Sequence, residues 1–143
     1  MKALRLGLAL ALLSTSAAFA QGVPKVEVFK SASCGCCGGW VDHMRQNGFE
    51  VTTHDVDDVP AARKKLGMPD RLGSCHSAKV AGYAIEGHVP AADIRRLLKE
   101  KPKAIGLAVP GMVPSSPGMD GPKTAYDTLL VKRDGSTNVY ASH

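Results

Sequence analysis

The chain has 143 residues, a formal net charge of +5, 44% hydrophobic residues and 22% charged ones. These proportions exclude a disordered polyelectrolyte and leave enough apolar material for one packed core. Lys2 and Arg5 fall in the first twenty residues, and Arg63-Lys64-Lys65 and Arg95-Arg96 lie beside helix-like apolar positions; this dispersal reads as solvated helix faces rather than as a nucleic-acid footprint.

Residues 1–20 carry a short basic start, an apolar run from Leu6 to Leu13 and the small-x-small triplet Ala18-Phe19-Ala20. That is the pattern of a secretory signal peptide cleaved near Ala20. The expectation is therefore a periplasmic protein whose single domain spans residues 21–143, with no membrane span in the mature chain. Val26 to Phe29 reads as a strand that runs directly into Ser31-Ala32-Ser33 and a cysteine cluster. After Gly38-Gly39, residues Trp40, Val41 and Met44 recur at helical spacing, and Asn47-Gly48 closes the helix. A second strand is expected from Phe49 to Val56. Asp57 or Asp58 then caps a short helix with Pro60 in its first turn and Gly67 at its end.

Met68 to Ser77 is expected to be a loop carrying Cys75 and His76, and Ala78 to Glu86 a hairpin bent at Ala81-Gly82. Pro90 opens a further helix with Ile94, Leu97 and Leu98 as its apolar stripe. Gly106 to Pro122, rich in Gly, Pro and Ser, reads as an ordered surface loop. Tyr126 to Val131 and Thr137 to Tyr140 read as a closing hairpin around Asp134-Gly135. The order β-α-β-α, hairpin, α predicts a single α/β domain, a small mixed sheet flanked by helices. Cysteines at the first strand-to-helix turn, with Cys34 and Cys37 at C-x-x-C spacing, make the thioredoxin-like version of that class the expected one.

Three of the four cysteines, Cys34, Cys36 and Cys37, fall within four residues, and Cys75 stands next to His76. Cys75 can bond only one of the three, so a fully paired state needs a bond inside the cluster, which argues against simple structural staples. At a helix N-terminus the free backbone N–H groups and the helix dipole favour thiolate over thiol. Several thiolates so close together need protons, a disulfide or a cation between them. Sulfur suits Cu(I), and cysteine with histidine also suits zinc. Adjacent Cys36 and Cys37 do not easily face one tetrahedral ion but can bridge several Cu(I) ions, so spacing favours copper. His76 is the leading histidine. His88 reads as a turn or cap residue, or as a further ligand. His43 and His54 read as exposed and His143 as terminal. Met112 and Met119 could offer thioethers or pin their loop, whereas Met44, Met68 and Trp40 read as packing residues.

Cys34-Gly-Cys-Cys37 followed by Trp40, the segment Gly73-Ser-Cys-His-Ser-Ala-Lys-Val80, Gly82-Tyr-Ala-Ile-Glu-Gly-His-Val-Pro90 and Gly106-Leu-Ala-Val-Pro-Gly-Met112 resemble the CopG-type periplasmic copper-resistance proteins. The resemblance runs from Val26 through Tyr140. It implies a thioredoxin-like fold binding Cu(I) in a cysteine-bridged multinuclear cluster, with Cys34, Cys36, Cys37 and Cys75 as ligands and histidine assistance. The function expected is copper holding for resistance and homeostasis. Partners would be copper efflux, copper oxidase or redox proteins of the periplasm, and the protein would be a monomer or a weak metal-bridged dimer. The competing expectation is an enzyme, a thiol–disulfide or copper oxidoreductase with Cys34 as nucleophile and Cys37 as resolving thiol. A structural zinc domain is a third alternative.

Overall fold

The computed structural model describes residues 22–143, so the signal-peptide expectation for residues 1–20 lies outside the described residues. In chain order the elements are β1 (Lys25–Lys30), α1 (Gly35–Gln46), β2 (Glu50–Asp55), α2 (Val59–Lys65), a 3-10 turn (Asp70–Leu72), β3 (His76–Val80), β4 (Tyr83–Glu86), α3 (Ala91–Glu100), β5 (Ala104–Ala108), β6 (Asp127–Lys132) and β7 (Thr137–Ser142). The strands form one mixed sheet in the order β2-β1-β3-β4-β5-β6-β7. β1 pairs in parallel with β2, and β4 with β5, while the other neighbours are antiparallel. None of the described helices is long and apolar enough to cross a membrane.

Local chemistry accounts for most of these boundaries. Asp58 caps α2 by accepting from the Ala61 N–H at 2.9 Å, with Pro60 in the first turn. Ala81 and Gly82 turn β3 into β4 with φ of 46° and 86°, the left-handed pair a two-residue hairpin requires. Two expectations need correction. The segment Met68 to Ser77 is not a simple loop: it contains the 3-10 turn, and His76 and Ser77 already belong to β3. Gly106 to Ala108 is not loop either but the end of β5, which joins the two hairpins into seven strands, a larger sheet than expected. Its sequence, Ala-Ile-Gly-Leu-Ala, has weak strand preference; pairing with β4 and β6 supplies the order.

The sheet carries a core on each face. Trp40, Val41 and Met44 of α1 and Ile94 and Leu97 of α3 pack with Val26, Val28, Val80, Ile85 and Leu107. On the other face Met68 and Leu72 pack with Ala84, Ala108 and Val131. Alternation along each strand divides the residues: Ile85 and Ala84, or Leu107 and Ala108, are sequence neighbours in different clusters. The first core seats the N-terminal turn of α1 beside the start of β3, because β1 pairs Lys30 with His76.

Candidate metal centre

Cys34 is the N-cap residue of α1, and its N–H returns to Ser31 O at 3.1 Å. Cys36 and Cys37 follow in the first turn. Three residues along a helix return to the same side, and Cys34 and Cys37 are joined there by a disulfide, with Cα atoms 5.4 Å apart. Cys36 lies outside this bond and remains a free thiol, as does Cys75. Pairing of β3 with β1 brings Cys75, just before β3, so close that its Sγ is 3.8 Å from Cys36 Sγ, which is 3.7 Å from Cys34 Sγ. All four sulfurs lie within 4.8 Å of one another.

Two histidines meet the same sulfur. Cys75 Sγ is 3.1 Å from His88 Nε2 and 3.4 Å from His76 Nδ1, and these three donor atoms form a second group within 4.8 Å. The His88 Nδ1–H donates to Pro117 O at 2.7 Å, leaving Nε2 of the neutral ring with its lone pair toward Cys75. This is the arrangement by which a backbone carbonyl orients a histidine ligand. Burial lowers the pKa of His88. Burial, reinforced by His88, holds His76 down to about 3. Both rings are therefore neutral at physiological pH, the form that binds metals. His76 is fully buried under the Trp40 ring, 4.5 Å between centroids, and its Nε2 has no partner among the described residues. Burial, then the neighbouring Cys36, pushes the Cys75 thiol up to about 12. Without a cation Cys75 is thus a protonated thiol with His88 Nε2 as its acceptor.

A buried ion pair grips the chain on both sides of Cys75. Glu86 is fully buried and its Oε1 accepts from Arg63 Nε at 2.8 Å and from the Ser74 N–H at 2.7 Å, while Oε2 accepts from Ser77 Oγ at 2.5 Å. Arg63 Nη2 also donates to Ser74 O at 2.9 Å. Arg63 is therefore not the solvated helix residue expected of the Arg63-Lys64-Lys65 run. No local pattern marks it, because its partner lies 23 residues away.

The remaining candidates divide. Met44 and Met68 are core residues, and His54 is exposed. His43 is not a plain exposed histidine: its Nε2 accepts from the Ala91 N–H at 3.1 Å, capping α3, and burial lowers its pKa. His143 Nε2 lies 2.9 Å from Asp93 Oδ2. Met112 is 49% exposed, whereas Met119 is half-buried. Met119 follows Gly118, which has φ of 83° and lies directly against Gly39 and Trp40. A Cβ on Gly39 would come within 2.7 Å of Gly118 O. This glycine contact lets the 109–122 loop lie over the first turns of α1, where Pro117 O meets His88.

Comparison with known proteins shows the family to which the chain belongs. The family model described as "Protein of unknown function, DUF411" matches residues 72–119, the stretch holding Cys75, both histidines and both loop methionines. None of the curated proteins matches the chain. A solved structure titled "Copper resistance protein copG- Form 2" is 41% identical, covers 85% of this chain and 98% of its own, and superposes with a TM-score of 0.80. "Copper resistance protein copG- Form 1" is 42% identical, with coverages of 83% and 96% and a TM-score of 0.77. Over nearly the whole length of those structures the agreement is in sequence and in fold together, and the chain belongs to the CopG copper-resistance family.

Proposed function

We propose that the protein is an exported copper-handling protein that holds Cu(I) as cargo among Cys34, Cys36, Cys37 and Cys75, with His76 and His88 completing the coordination. One observation carries this reading: four sulfurs from two distant chain segments lie within 4.8 Å of one another, and a second group of one sulfur and two neutral imidazoles shares Cys75. Such crowding suits soft monovalent ions bridged by thiolates better than one tetrahedral zinc. The copper-resistance titles of the similar structures point the same way. The seating of the cysteines on a β1-α1-β2 unit supports a thioredoxin-like reading of the fold. Met119 is the better thioether candidate of the two, since its loop lies over α1. Copper efflux, copper oxidase or redox proteins of the periplasm are the partners this role needs.

In the disulfide form Cys34 and Cys37 have no thiolate to offer. Two electrons and two protons convert that bond to two thiols, and the fourfold site then becomes available. Anaerobic Cu(I) titration of the fully reduced protein, read by native mass spectrometry and chelator competition, is expected to show two to four bound ions. Loss of all copper to a moderate chelator refutes the proposal. The Cys34–Cys37 disulfide itself favours a second reading, a thiol–disulfide or copper oxidoreductase. Robust insulin reduction or glutathione exchange without copper would establish that reading instead.

A further inference from the structure

Away from the thiols the molecule is electrically lopsided. On β3, His76 stands at the cysteine end and Val80 four residues on, about 13 Å away at strand spacing. Beyond Val80 the Ala81-Gly82 turn borders a surface cavity of 530 Å³ whose cations are Lys101, Lys103 and Arg133. A second cavity of 300 Å³ shares Leu98 and Lys101 with it and adds Arg95 and Lys99. A third, of 260 Å³, shares Ala81 and Gly82 and adds Lys25 and Lys79, with Glu27 as the one carboxylate lining any of the three.

These seven cations form one exposed band. Residues 21–143 hold sixteen Lys and Arg and thirteen Asp and Glu. The band takes seven of the former and one of the latter, so nine cations face twelve acids over everything else. Among the described residues only Lys25 of the seven has a carboxylate within ion-pair distance, Glu50 at 3.8 Å. Glu100, beside the band, is engaged by Arg96 and Tyr140, and Asp134 by Ser136. Arg95 donates to Asn47 O and lies over the Phe49 ring; the charge of the other five unpaired cations is left for an external partner.

We propose that this band docks the protein on an anionic phospholipid surface, with the cysteine end held away from the bilayer. Five of the seven cations are lysines, which protein–protein interfaces disfavour, and they ring shallow cavities instead of converging on one point. Flexible point charges so spread match a fluid layer of phosphates, and each Lys or Arg near an anionic lipid surface contributes about 1 kcal/mol. Val23, 59% exposed and next to Pro24 in the second cavity, adds an apolar contact at the same end.

The test is flotation of the protein, as recovered from expressing cells, with vesicles of phosphatidylglycerol and phosphatidylethanolamine or of phosphatidylcholine alone. Binding is expected on the anionic vesicles at low salt, lost on the neutral ones and at 0.5 M salt, about 4 Å of screening length. Replacing Lys99, Lys101 and Lys103 with Gln is expected to weaken partitioning by about a hundredfold. Replacing Lys64, Lys65 and Lys123 with Gln makes the same change in net charge outside the band and is expected to have less than a fivefold effect. Equal losses in the two triple variants, binding to neutral vesicles as strong as to anionic ones, or no binding at low salt overturns the proposal. Capture of an acidic protein with no vesicle binding does so too. Cu(I) stoichiometry of the Lys99, Lys101, Lys103 variant, expected to be unchanged, confirms that it is folded.

Discussion

Arg63→Ala tests how the cysteine site is held. The Arg63 side chain is 8% exposed and Glu86 fully buried, so the change leaves a carboxylate with the Ser74 N–H and Ser77 Oγ but no counter-charge. Breaking a buried pair from one side costs about 3–5 kcal/mol, which for a domain of this size lowers Tm by about 10–20 °C. The same side chain also donates to Ser74 O, one residue before Cys75. Freeing that backbone is expected to weaken Cu(I) affinity by about tenfold or more, as loss of groups orienting metal ligands does. The assay is thermal unfolding by circular dichroism beside Cu(I) competition on the reduced protein. Pairing Arg63→Met with Glu86→Gln removes both charges and should recover much of the Tm while affinity stays weak. A Tm loss below about 3 °C, or full affinity in the single variant, refutes the reasoning.

Because burial pushes the Cys75 thiol up to about 12, Cu(I) must displace its proton at neutral pH. Apparent affinity is expected to tighten by up to about tenfold per pH unit for each proton released between pH 6 and 8; pH-independent chelator competition would contradict this. His76 is held down to about 3 against an ordinary 6.5, so the unfolded chain takes up the proton first. The stabilising contribution is whole above 6.5 and is lost as pH falls toward 3, at up to about 1.4 kcal/mol per unit, and urea unfolding of the apoprotein at pH 7 and 4.5 measures it. Gly118→Ala forces a side chain into the Gly39–Trp40 backbone at a positive φ. It is expected to lift the 109–122 loop, speeding proteolysis of that loop and altering the copper spectrum while α1 stays folded; an unchanged cleavage rate counts against the glycine contact.

Short-range chemistry was readable from residue order. The β1–cysteine–α1 unit, a cap at Asp57 or Asp58 with Pro60, the bend at Ala81-Gly82 and the Pro90 helix start each depend on neighbours within a few positions. The same holds for the preference of crowded sulfur for a soft ion. Helix 1 begins at Gly35, ahead of the Gly38-Gly39 pair expected to precede it, because the cysteines themselves occupy its first turn.

Other features follow from partners far away in the chain, and of these residue order hinted only at His88, as one of two readings. β5 is a strand because β4 and β6 flank it, although its own composition is nearly neutral. His88 reaches Cys75 from 13 residues on, His43 caps a helix that starts 48 residues later, and Arg63 is drawn inside by Glu86. Spacing left open which cysteines pair; the fold joins Cys34 to Cys37 and leaves Cys36 to face Cys75. Residue order thus set the kind of chemistry, since softness, charge and helix capping are local properties. Which atoms meet, and which charges lie buried or face outward, was settled only by packing around the two faces of the sheet, where distance in sequence no longer measures distance in space.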